Sequence, residues 1–176
     1  SFTTFTGNGT VELNLGTTVG LAGTFGSSFT GQINITGVGT ILSPVNNMSA
    51  NLGDVSIDTG ASMTINGPGV QADELTGPGL VNTAQAVNPA FATLLLGANN
   101  GNGGTAVFSG PMTSSTTLGI QSINIVKNGT GAQELSGNLA TGLGSVTVNG
   151  GTLTLAGNST YTGATTVSNG TLVVNG

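Results

Sequence analysis

The sequence Asn149-Gly150-Gly151-Thr152-Leu153 nearly recurs as Asn169-Gly170-Thr171-Leu172, and it is not the only echo. Leu135-Ser136-Gly137-Asn138 aligns with Leu155-Ala156-Gly157-Asn158 at an offset of twenty, and Asn128-Gly129 stands twenty-one residues before Asn149-Gly150. Between Thr152 and Thr171 the offset is nineteen, because Gly151 is one residue extra. A self-similar period near twenty is the length of one β-solenoid coil, in which short strands pair in parallel with their copies one turn on. Slips of one residue then fall at corners, where a glycine can take a left-handed conformation.

The local pattern agrees. Apolar residues stand two apart at Val11, Leu13 and Leu15; Ile33 and Ile35; Val55 and Ile57; Met63 and Ile65. The same spacing returns at Ile123 and Ile125; Val146 and Val148; Leu153 and Leu155; Leu172 and Val174. Polar residues fill most of the intervening positions, which is the period of a half-buried strand. The best helical stretch, Ala84–Leu96, is interrupted by Pro89 and reads as an excursion loop or a short helical turn. The expected fold is all-β: one solenoid domain over 1–176 with about 20 residues per coil. Its clearest repeats lie in 130–176, with a loop at 84–104. Asn-Gly is also a hairpin signal, so an antiparallel sandwich competes. A sandwich, however, has no reason to repeat its side chains every twenty residues.

Charge removes several functions. Lys127 is the only basic side chain, charged residues make up 4 % of the chain, and the net charge is −5. A phosphate backbone needs several Lys or Arg to displace its counterions, so no nucleic-acid partner is expected. No apolar run approaches the roughly 20 residues of a membrane span, so no membrane insertion by this chain is expected. Ser1-Phe2-Thr3-Thr4 has neither the basic nor the apolar region of a signal peptide.

Gly151-Thr-Leu-Thr-Leu-Ala-Gly-Asn-Ser-Thr-Tyr-Thr-Gly-Ala-Thr-Thr-Val-Ser-Asn-Gly-Thr-Leu-Val-Val-Asn175 closely resembles the autotransporter-associated β-strand repeat of passenger-type β-helices. Val126-Lys127-Asn128-Gly129 through Leu135-Ser136-Gly137 is similar to the turn that precedes it, with Lys127 in the usual lysine position. It departs at Gln133-Glu134, where Leu-Thr is expected. The resemblance implies a right-handed parallel β-helix in a secreted or surface-exposed bacterial protein, with no catalytic residues. It also implies a C-terminal membrane barrel that these residues do not contain. A fragment, a processed passenger or a separate secreted protein is therefore expected.

Chemistry is scarce. Without Cys, His or Arg, the familiar nucleophilic triads and zinc sites have no members. The six carboxylates are Glu12, Asp54, Asp58, Asp73, Glu74 and Glu134. Asp54 and Asp58 share a strand face but would lie roughly 13 Å apart if extended, beyond glycosidase separations. Asp73 and Glu74 are adjacent and point to opposite faces of a strand. Solvated surface acids are the plain reading, with cross-coil pairs and a metal on Asp54 or Asp58 as alternatives. Lys127 invites an isopeptide bond to an Asn assisted by Glu134, against the plain reading of a solvent-exposed corner lysine. Tyr161 reads as a packing residue. No enzyme activity, metal or cofactor is expected.

Solenoid ends expose unpaired backbone groups. Phe2 and Phe5 at one end, and Leu172, Val173 and Val174 at the other, read as open assembly edges suited to head-to-tail contact between copies. The expected role is a structural segment of an extracellular bacterial fibre or surface stalk. The alternatives are an adhesin-like passenger that binds surface glycans and a polysaccharide-cleaving β-helix.

Overall fold

A computed structural model describes residues 4–21, 24–44, 52–65, 69–83, 91–97, 104–114, 122–142 and 144–176. Among them the regular elements are all strands, and the strand pairs are all parallel. The first coil holds β1 (Thr4–Gly7), β2 (Thr10–Leu13) and β3 (Thr18–Leu21), and the second holds β4 (Thr24–Phe29), β5 (Gln32–Ile35) and β6 (Ile41–Pro44). To the third belong β7 (Asp54–Ile57) and β8 (Ser62–Ile65), and to the fourth β9 (Gly69–Ala72), β10 (Leu75–Thr76) and β11 (Leu80–Thr83). The fifth has β12 (Phe91–Leu96), β13 (Thr105–Phe108) and β14 (Met112–Thr113). The sixth has β15 (Ser122–Lys127), β16 (Ala132–Leu135) and β17 (Leu139–Ala140). Beyond it come β18 (Val146–Val148), β19 (Thr152–Leu155), β20 (Thr165–Val167) and β21 (Thr171–Val174).

The first, second, fourth, fifth and sixth coils each lay down a leading, a middle and a trailing strand, and like stacks on like. The trailing column is one six-stranded sheet, β17-β14-β11-β8-β6-β3. In the leading column β20-β18-β15-β12-β9 run together, and β1-β4 hold the corresponding place in earlier coils. The middle column is two four-stranded sheets, β10-β7-β5-β2 and β13-β16-β19-β21. The turn at Asn149-Gly150 therefore joins two columns and makes no hairpin: β18 pairs with β15 and β20, and β19 with β16 and β21. The sandwich reading falls.

The period is about 22 residues rather than 20. It is also uneven: Ser62 pairs with Leu80, 18 residues on, whereas Phe91 pairs with Ser122, 31 residues on. Near the C-terminal end the sequence offsets hold residue for residue, with Leu135 on Leu155 and Thr152 on Thr171. The extra Gly151 sits at a corner with φ of 62°. Within 84–104, residues 91–96 form β12 instead of a loop, with Ala92, Leu94 and Leu96 buried. A short apolar run such as Leu94-Leu95-Leu96 does not separate strand from helix by periodicity. What decides is the parallel ladder on both sides of it. Residues 84–90 and 98–103 lie outside the described residues.

Inward positions make one core. Ile33, Ile35, Val55, Ile57, Met63, Leu75, Leu94, Phe108, Ile125, Leu153 and Leu155 are buried within it. Each such side chain contributes roughly 1.5–3 kcal/mol by leaving water. Leu15, expected to continue the inward set of Val11 and Leu13, lies past the end of β2 and is exposed.

Where the chain turns from the middle to the trailing column, glycines stack. An ideal Cβ on Gly110 would lie 1.6 Å from the Gly79 carbonyl oxygen, and one on Gly137 would lie 1.9 Å from that of Gly110. For Gly157 over Gly137 the distance is 2.1 Å, and for Gly176 over Gly157 it is 2.3 Å. No side chain fits such gaps, so five coils share a corner whose backbones touch directly. In this corner glycine serves close approach.

Candidate functional site at the corners and the open edge

Stacking brings three acids together that sequence spacing kept apart. Asp54 opens β7, and Asp73-Glu74 turn the corner one coil later. The Val55 N–H donates to the Glu74 carbonyl at 2.8 Å, and the Asp73 N–H donates to the Gly53 carbonyl at 2.8 Å. The Asp54 carboxyl is pushed up from 3.8 to about 6, first by burial, then by the charges of Glu74 and Asp73, against a hydrogen bond from the Glu74 backbone. Of the anticipated alternatives the cross-coil pair is the one that forms, while Asp58 sits exposed in the turn after β7. Among the described residues no group of three or more acids is arranged to hold a metal.

This corner has a pH signature. A folded-state pKa above the unfolded one means that the folded chain keeps a proton that the unfolded chain loses. Stability is then greatest below about pH 4, falls as pH rises toward 6, and stays lower above it. Asp54→Asn removes that slope. Thermal melts should give the variant a midpoint a few degrees above the native chain at pH 7.5. That shift corresponds to about 1 kcal/mol after discounting for the carboxyl's partial exposure. The two midpoints should converge at pH 4; parallel curves at all pH values refute the assignment.

Lys127 is not the solvent-exposed corner lysine that its charge suggested. It is 2 % exposed, in register between Leu96 and Val148. Its Nζ donates to the Asn128 carbonyl, and burial lowers its pKa. Ideal Cβ atoms on Gly97 and Gly151 would come within 3.1 and 2.9 Å of Nζ, so neighbouring corners leave just enough space for the ammonium. The Asn128 side chain accepts from Asn149 Nδ2 at 3.0 Å, one coil on. Parity was the signal available in the sequence: residue 127 shares a strand face with Ile123 and Ile125.

Gln133, where the repeat resemblance fails, is also inward and buried. It pairs in register with Ala106 on one side and Leu153 on the other. Its carboxamide passes Ala106 and reaches the coil before it. Nε2 donates to the Leu75 carbonyl at 2.8 Å and to the Ala106 carbonyl at 3.2 Å, and Oε1 accepts from the Leu75 N–H at 3.1 Å. Glu134 points the other way, half-buried on the outer face of β16.

At the far end β21 is the last strand of its sheet. Leu172 and Val173 are half-buried, Val174 is 62 % exposed, and Val167 on β20 is 48 % exposed. Phe2 lies outside the described residues, and Phe5 pairs with Phe25 between β1 and β4. Tyr161 packs against the core, and its hydroxyl hydrogen-bonds the Thr165 hydroxyl at 2.8 Å.

The coil geometry has a counterpart in sequence families. Residues 125–154 and 149–174 each match the family model of the passenger-associated-transport-repeat. These C-terminal coils are similar to the passenger-associated-transport-repeat. The matched residues begin in β15 and end at the close of β21, and each match spans somewhat more than one coil of this chain. Lys127, Gln133, the Asn128–Asn149 stack and Gly137 and Gly157 of the corner spine all fall within them. No curated protein and no solved structure matches the chain.

Proposed function

We propose that this chain is a non-catalytic structural segment of a secreted or surface-exposed bacterial stalk or fibre. In this reading, coils add to coils at the open edge. The supporting observation is β21, whose ladder is satisfied on one side by β19 and whose Val174 is left exposed. The next coil on that edge comes from further chain or, when a second copy meets it head-to-tail, from a neighbour. In the same sheet β13, β16 and β19 each already offer this surface to a following strand. The passenger repeat in the adjoining coils supports placement outside the cell.

Electron microscopy and sedimentation over a concentration series test the head-to-tail step. Rods that lengthen with concentration are expected. Val174→Lys should shorten them by placing a strongly hydrated charge on the edge strand. Monomers at every concentration, or rods indifferent to Val174→Lys, overturn end-to-end joining through this edge.

A further inference from the structure

The middle column is interrupted at one step. Between β10 and β13 the backbone contact is a bridge at Gly77 and Phe108, with Gly77 N–H to Val107 O at 3.3 Å and Ser109 N–H to Gly77 O at 3.0 Å. Two residues earlier, Leu75 has its N–H and C=O taken by the carboxamide of Gln133, 58 residues away. A strand residue would supply one acceptor and one donor there; the amide supplies both. Ala106, the residue between, is inward and small, which leaves room for the amide to pass. In the leading column the same step keeps an ordinary four-residue ladder, from Gly69 on Thr93 to Ala72 on Leu96.

We propose that the step between the fourth and fifth coils is a joint, closed on the middle column by the Gln133 amide acting as a latch, while the β9–β12 and β11–β14 ladders hold the other two columns. When Gln133 lets go, Leu75 loses both partners and the middle column is held at Gly77, by its bridge to Phe108 and the Gly110 N–H on its carbonyl at 3.3 Å. The two four-stranded stacks then separate along that face while the leading and trailing columns stay paired. A shaft built this way yields at a set place and recloses, because the latch is a side chain that remains anchored in β16.

Hydrogen exchange on the full chain, resolved to single amides, tests the joint. In the native protein the amides of Leu75, Gly77 and Ser109 should exchange together and sooner than those of Ser136, Asn149 and Ala156. Gln133→Leu keeps the apolar bulk, and Gln133→Asn keeps the amide but is too short to reach. Both should speed exchange at the first three amides by tenfold or more and leave the others within twofold. Ala106→Val, which blocks the passage while leaving Gln133 in place, should give the same local pattern. Equal acceleration at all six amides would mark Gln133 as an ordinary core residue and overturn the proposal. Unchanged exchange at Leu75 in the Gln133 variants would do so too.

Discussion

Gly110→Ala is expected to destabilise the solenoid by about 3 kcal/mol or more, enough to deplete the folded protein at physiological temperature. The added methyl would stand 1.6 Å from the Gly79 carbonyl oxygen and 2.8 Å from Cζ of Phe108. The aromatic ring has some freedom to move, but the carbonyl is fixed by the coil beneath. Relief therefore requires two coils to part, which lengthens hydrogen bonds such as Ser109 N–H to Gly77 O. Gly9→Ala is the matched control, because an ideal Cβ there meets nothing within 4 Å. Urea unfolding of the two variants should separate them by the full amount. Similar midpoints would mean that the corner backbones are not in the contact described.

Phe108→Ala should cost about 3–5 kcal/mol, the usual penalty for emptying a buried aromatic site. The side chain is fully buried, at the end of β13 and in register with Leu135. Its neighbour Val107 points outward and is 43 % exposed, so Val107→Ala should change stability by less than about 0.5 kcal/mol. The two substitutions differ in which face of one strand they strip, so urea melts compare them cleanly. Phe108→Leu should not rescue Gly110→Ala, since it clears the ring and leaves the Gly79 carbonyl where it was. A rescue would show that the ring, not the backbone, sets the close approach.

The architecture was legible because two independent periods agree. Alternation placed Ile33, Ile35, Val55, Ile57, Leu153 and Leu155 inside, and all are buried. The offsets near twenty predicted which strand lies on which, down to Thr152 on Thr171. Coil length was less legible. The 18-residue and 31-residue steps have no repeated text to align, and what fixes them is the ladder to the next coil. Lys127 and Gln133 were misjudged or unexplained for a related reason. Both follow the inward parity, but their polarity argues for water until the carbonyls that meet them are known, that of Asn128 for Lys127 and those of Leu75 and Ala106 in earlier coils for Gln133. The acid corner stayed hidden because Asp54 and Glu74 are near only across a coil step, a distance that strand geometry within one segment does not measure.

Burying Lys127 has a consequence for the molecule as a colloidal particle. The chain has no other basic side chain, so its exterior holds carboxylates, hydroxyls and amides and no side-chain cation. At neutral pH the walls of two such molecules side by side carry one sign and repel at low ionic strength. Raising the salt shortens the reach of that repulsion to a few ångströms, at about 3 Å in molar salt, so side-by-side approach becomes easier as salt rises.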